Sequence, residues 1–137
     1  MWYKQRKKYR LQPYLATEEG LAAINQAIDK SLNNTGAPFL YKAALHYYSS
    51  YMASLLSFED LFSELEKFIP DPIERWKECV KVKRGLHDTS TLSGMYKDQV
   101  YLKGAVEILI NRNNIDFVNL YAGKISLRDY HKLEERG

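Results

Sequence analysis

Apolar and polar positions alternate at helical spacing, not strand spacing, along nearly all 137 residues. Leu21, Ile24, Ile28 and Leu32 recur every three or four positions behind Thr17. Threonine suits a helix start because its hydroxyl accepts from an otherwise unpaired backbone N–H. The run Asn33-Asn34-Thr35-Gly36-Ala37-Pro38 ends that helix. A second, about 39–55, is predicted to turn Leu40, Ala43, Ala44, Tyr47, Tyr51 and Leu55 inward. Ser57 is predicted to cap a third that runs through Leu61, Leu65 and Phe68. Ile69-Pro70-Asp71-Pro72 stops it and opens a fourth, with Asp71 as N-cap and Pro72 at the first helical position, where a missing N–H costs nothing. That helix is predicted to bury Ile73, Trp76, Cys79, Val80 and Val82 and to end at Gly85.

Beyond a loop from Leu86 to Met95, a fifth helix is predicted from about Lys97 to Asn111. Leu102, Val106 and Leu109 form one stripe on it, with Tyr101, Ala105 and Ile108 beside them. So wide an apolar face implies burial on several sides. Two short helices, about 115–123 and 126–135, complete the chain, the second capped by Ser126. With no β-alternation and no internal repeat, the fold class is all-α, with about seven helices.

Composition narrows the class further. The apolar fraction is 45% and the charged fraction 27%, and the length suits one domain with a real core. No apolar run approaches the ~18 residues that cross a bilayer, and no secretory leader is visible. The single Cys79 cannot form an internal disulfide, which fits a reducing compartment, and a cytoplasmic location is expected.

The net charge of +3 is unevenly spread. Lys4, Arg6, Lys7, Lys8 and Arg10 fall in the first ten residues, interleaved with Trp2, Tyr3 and Tyr9. The remainder is nearly neutral, 15 basic residues against 17 acidic. The chain therefore divides into a basic aromatic arm, 1–16, and a helical region, 17–137. Such an arm could hold phosphates or an acidic peptide; a solvated terminus is the plainer reading, and no nucleic-acid motif accompanies it.

Thr17-Glu18-Glu19-Gly20-Leu21-Ala22 carries the sharpest candidate chemistry. By spacing alone the two acids are explained by the helix macrodipole, worth about 0.3–1 kcal/mol in a first turn. The segment nevertheless resembles the signature of the DUF1704 family, also described by a QEGLA motif. That family includes the microtubule-associated tyrosine carboxypeptidases, which are zinc metallopeptidases. Further blocks match in order: Arg75-Trp76, Lys83-Arg84-Gly85, Asp88-Thr89-Ser90, and Lys97-Asp98-Gln99-Val100-Tyr101-Leu102 with Gly104. The resemblance runs from about Thr17 to the end.

The resemblance implies that this is the C-terminal helical portion of a gluzincin-like catalytic domain. In the family, zinc is held by two histidines of an HExxxH motif and by a glutamate of the EEGLA segment. Carried onto this chain, that ligand is Glu19, with Glu18 as the alternative or a neighbouring group. A carboxylate oxygen suits zinc at about 2.0–2.2 Å. The histidines are His46, His87 and His131, and none lies in an HExxxH sequence. In the family that motif lies upstream, so zinc is expected only when an HExxxH-containing segment or chain is supplied. Alone, the chain is expected to be inactive.

The same resemblance marks Tyr101 as a candidate oxyanion stabiliser, and Arg84 and Lys97 as candidate holders of a substrate's terminal carboxylate. The plainer readings are a core tyrosine, a surface lysine and an arginine that complements a helix C-terminus. Gly20 and Gly104 read equally as tolerated imperfections or as close approaches, Gly20 to the absent zinc helix and Gly104 to another segment. Cys79 reads as a buried small hydrophobe, the three histidines as structural or exposed, and Asp88 as a loop residue.

Two functions compete. One is part of a tyrosine-carboxypeptidase-like enzyme acting on a peptide or protein C-terminus. The other is a non-catalytic helical interaction module with exposed apolar surface near Gly20 and Gly104, able to form an oligomer. Nucleic-acid binding is a distant third.

Overall fold

In the computed structural model, which describes residues 15–32, 36, 38–121, 123 and 125–134, seven α-helices and no strands are present among the described residues. They are α1 (Leu15–Leu32), α2 (Tyr41–Ala53), α3 (Phe58–Glu64), α4 (Pro72–Lys83), α5 (Val100–Asn111), α6 (Phe117–Tyr121) and α7 (Leu127–Glu134). Single 3-10 turns occupy Leu65–Lys67, Tyr96–Gln99 and Arg112–Asn114. The all-α expectation holds. The basic arm, except for Leu15 and Ala16, lies outside the described residues. No described helix is long and apolar enough to cross a membrane.

The chain forms two compact units, one of Met1–Gly36 with Val100–Gly137, the other of Ala37–Gln99. In the first, α1 and α5 cross where Gly20 meets Gly104. A Cβ on Gly20 would stand 2.2 Å from the carbonyl carbon of Gly104, and one on Gly104 would stand 1.7 Å from the carbonyl oxygen of Ala16. The close-approach reading is therefore the right one, with a changed partner. Gly20 meets α5 there, and both glycines are buried, while Val106 on α5, two residues past Gly104, is exposed.

Among the described residues of this unit, Leu21, Ile24, Ala105, Ile108, Ile115, Leu120, Leu127 and Tyr130 are the buried apolar ones. The several-sided burial expected of the fifth helix does not hold within it, since Val106 and Ile110 are exposed. Thr17 corrects a second expectation. The helix already runs at Leu15, and the buried Thr17 hydroxyl accepts from the backbone N–H of Leu127, at the start of α7. Ser126 caps α7 as expected, accepting from the N–H of Asp129 while donating to its carboxylate.

In the second unit, Ala53, Leu61, Leu65, Cys79 and Val82 form the core, packed by Leu45, Tyr48, Met52, Leu56, Phe58, Phe62 and Ile69. Ser57 and Asp71 cap α3 and α4 through the N–H groups of Asp60 and Ile73, with Pro72 opening α4. The helical period was correct for α2 and α4, but the phase was not. On α2 the buried stripe is His46, Ser49, Ser50 and Ala53, while Ala44, Tyr51 and Leu55 face outward. On α4 it is Arg75, Cys79, Val82 and Lys83, while Ile73, Trp76 and Val80 are exposed.

Two cations on α4 explain that rotation. The Arg75 guanidinium lies over the Phe62 ring, 4.4 Å from its centroid, and pairs with Glu66 at 3.0 Å. Lys83 is only 1% exposed, and its ammonium donates to the carbonyls of Ala53, Leu56 and Thr91 at 2.9, 2.7 and 2.6 Å. Three donors meet three acceptors, two of them around the C-terminal end of α2, where the helix dipole favours a cation.

Candidate functional site

Glu18 lies in the first turn of α1 and Glu19 follows it, immediately before the Gly20–Gly104 crossing. Glu18 is exposed and Glu19 partly buried. Tyr101, partly buried, lies three residues before Gly104 on α5. The crossing thus places Glu19 and Tyr101 within a turn of one contact between two helices. The 3-10 turn Tyr96–Gln99 interrupts the expected fifth helix, so Lys97 and Tyr101 do not share a continuous α-helical face. Lys97 is exposed and, like Arg84, belongs to the second unit.

Arg84 fits the plainer reading and adds an ion pair that the sequence did not suggest. Its Nη1 donates to the Lys81 carbonyl at 2.6 Å, complementing the end of α4, while its Nη2 donates to Asp98 at 2.7 Å. Asp88 is a loop residue, its carboxylate accepting from both the N–H and the hydroxyl of Ser90. The Cys79 thiol is buried, and that burial pushes its pKa up to about 11, so it is no nucleophile at neutral pH.

The cluster that sequence reasoning missed centres on His46. Its Nδ1 lies 2.5 Å from the Glu78 carboxylate on α4, and its Nε2 lies 3.0 Å from Asp98, the same oxygen that holds Arg84. Burial opposes charging of the imidazole, but hydrogen bonds to Glu78 and Asp98 outweigh it and hold its pKa above 6.5. Burial likewise opposes ionisation of Glu78 and Asp98, yet His46, and for Asp98 also Arg84, hold both below their ordinary values. His46 lies off the tyrosine stripe of α2, and its Ser49-Ser50-Ala53 companions carry little apolar signal.

Metal binding has a direct chemical test in these side chains. No group of three or more His, Cys, Asp or Glu able to hold a metal exists among the described residues. Both His46 nitrogens already face carboxylates, and Glu19 offers a single carboxylate. These residues do not complete a zinc site.

The sequence has relatives of known name. The protein named "Putative tyrosine carboxypeptidase MATCAP2" of Mus musculus is 47% identical over 131 residues, 95% of this chain and 24% of that protein. Microtubule-associated tyrosine carboxypeptidase 1 of Homo sapiens is 43% identical over 133 residues, 96% of this chain and 27% of that protein. The chain is homologous to the tyrosine carboxypeptidases. Its rat relative of the same name agrees, at 42% identity over 133 residues. The chain spans about a quarter of the length of these tyrosine carboxypeptidases. No protein-family model matches it.

Proposed function

We propose that this chain is the part of a tyrosine-carboxypeptidase-like zinc metallopeptidase that supplies Glu19 as the glutamate ligand and lines part of the substrate cleft. The observation that carries the proposal is 42–47% identity to tyrosine carboxypeptidases over about 95% of the chain. The crossing of α1 and α5 supports it, because Gly20 and Gly104 fix the backbone beside Glu19 without room for a side chain.

Bound zinc would supply Lewis-acid polarisation of a scissile carbonyl and an activated water. On this reading, Glu19 contributes one negative oxygen donor, and the HExxxH histidines and base come from a further segment or chain. Tyr101 is assigned to stabilising an oxyanion by O–H donation. Arg84 and Lys97 are assigned to holding the terminal carboxylate of a peptide or protein substrate. The hydrogen bond to Asp98 orients Arg84 for such a task. The proposed setting is cytoplasmic. The experiment is to mix the chain with an HExxxH-bearing fragment and zinc, and follow release of the last residue from a peptide. Activity should need both parts; its persistence without this chain would refute the proposal.

The second reading is a non-catalytic interaction module. It draws on Ile73, Trp76 and Val80, exposed along one side of α4. It predicts a stable oligomer or hetero-complex that chelator leaves intact, and no activity in the mixture.

A further inference from the structure

The carboxylates on either side of His46 come from different parts of the second unit. Glu78 is on α4, and Asp98 belongs to the 3-10 turn Tyr96–Gln99. A neutral imidazole has one N–H and one lone pair, whereas the imidazolium donates from both nitrogens. Only the charged form can therefore bond Glu78 and Asp98 together. We propose that His46 is a pH-operated clasp that fastens the 96–99 turn to α2 while protonated and releases it when the proton leaves.

The direction of release follows from the partners. Glu78 is the nearer carboxylate, at 2.5 Å, and is itself partly buried. Asp98 lies at 3.0 Å and keeps Arg84 as a second cation. The neutral tautomer therefore keeps its N–H on Nδ1 for Glu78 and turns the Nε2 lone pair toward Asp98. A lone pair facing a carboxylate is repulsive, so Asp98 leaves with its turn.

In the turn itself Lys97 lies beside Asp98 and is exposed. Lys81 on α4 opposes protonation of His46, and Arg84 follows at the end of that helix. Arg75 and Lys83, also on α4, are occupied by Glu66 and Phe62 and by backbone carbonyls respectively. From α3, Glu64 is engaged by Tyr48 and Lys67. The clasp makes no use of Glu19, but it shares Asp98 with Arg84, and its turn carries Lys97.

The test uses the full chain. The His46 ring would be followed by NMR against pH, together with hydrogen exchange of amides 96–99 corrected for its intrinsic pH dependence. His46 should titrate above 6.5. Protection of 96–99 should fall through the same titration, by about tenfold for each unit by which fastening to Asp98 raises the His46 pKa. Asp98→Asn should lower the His46 titration and remove the pH dependence of exchange, and His46→Gln should remove it as well. A His46 that titrates at or below 6.5, or protection at 96–99 that ignores its titration, would overturn the proposal. Either can be read on the unmodified chain, even if a variant fails to fold.

Discussion

The hydroxyl of Thr17 accepts a hydrogen bond from the backbone N–H of Leu127, 3.0 Å away and 110 residues further along the chain. A residue type suited to starting its own helix instead meets an unpaired donor at the start of another. That bond ties α1 to α7 inside the first unit. Thr17→Val keeps the shape and loses the acceptor, so it should cost about 1 kcal/mol in urea unfolding, whereas Thr17→Ser should cost much less.

Substitution at the glycine crossing should be far harsher. The atoms that a new Cβ would meet are backbone, 2.2 Å away for Gly20 and 1.7 Å for Gly104, and no rotamer change relieves them. Gly20→Ala and Gly104→Ala should each destabilise the chain by about 3 kcal/mol or more, against a small gain for the same change in an ordinary helix. Thermal unfolding of the two variants checks this. Unchanged melting would show that α1 and α5 do not cross there.

Lys83 is the buried cation whose loss should be felt most in the second unit. Lys83→Met fills similar volume but leaves the carbonyls of Ala53, Leu56 and Thr91 without their shared donor. A loss of about 3 kcal/mol is expected in denaturant unfolding. Lys81→Met, on the exposed side of the same helix, should change stability by less than about 0.5 kcal/mol.

The His46 cluster sets a pH profile of stability with a definite sign. Because the folded pKa of His46 is raised, its contribution is complete below 6.5 and fades as pH rises through the folded value. Glu78 and Asp98 are lowered, so their contributions are complete above 4.5 and 3.8 and fade as pH falls through the folded values. The part of stability due to these groups should therefore be greatest between 4.5 and 6.5. His46→Gln should flatten the alkaline side of the profile, measured as urea midpoints against pH.

What the sequence revealed was mostly local. Ser57, Asp71 with Pro72, and Ser126 act on N–H groups two or three residues away, so their positions announce the helices they start. The buried faces of α2 and α4 were hidden because polar groups occupy them. His46 is buried by carboxylates 32 and 52 residues distant, and Lys83 by carbonyls that belong to other segments. A hydrophobic stripe favours Tyr51, Trp76 and Ile73 over such residues, and the structure exposes all three. For the candidate site, resemblance supplied Glu19, Tyr101, Arg84 and Lys97, while the helical pattern alone would have left them as a capped start, a core tyrosine and two surface cations. The Gly20–Gly104 contact was half legible: two helix glycines signalled close approach, but pairing across 84 positions is a property of the folded unit.

The central claim concerns Glu19, and zinc affinity tests it more directly than turnover does. The chain would be combined with an HExxxH-bearing fragment and titrated with zinc by calorimetry, beside Glu19→Gln and Glu18→Gln. Removing a true ligand should weaken zinc binding by well over a hundredfold, while removing a neighbour should cost about ten- to a hundredfold at most. The account predicts the large loss for Glu19→Gln and the small one for Glu18→Gln. Tight zinc binding that survives Glu19→Gln and is lost on Glu18→Gln would contradict it.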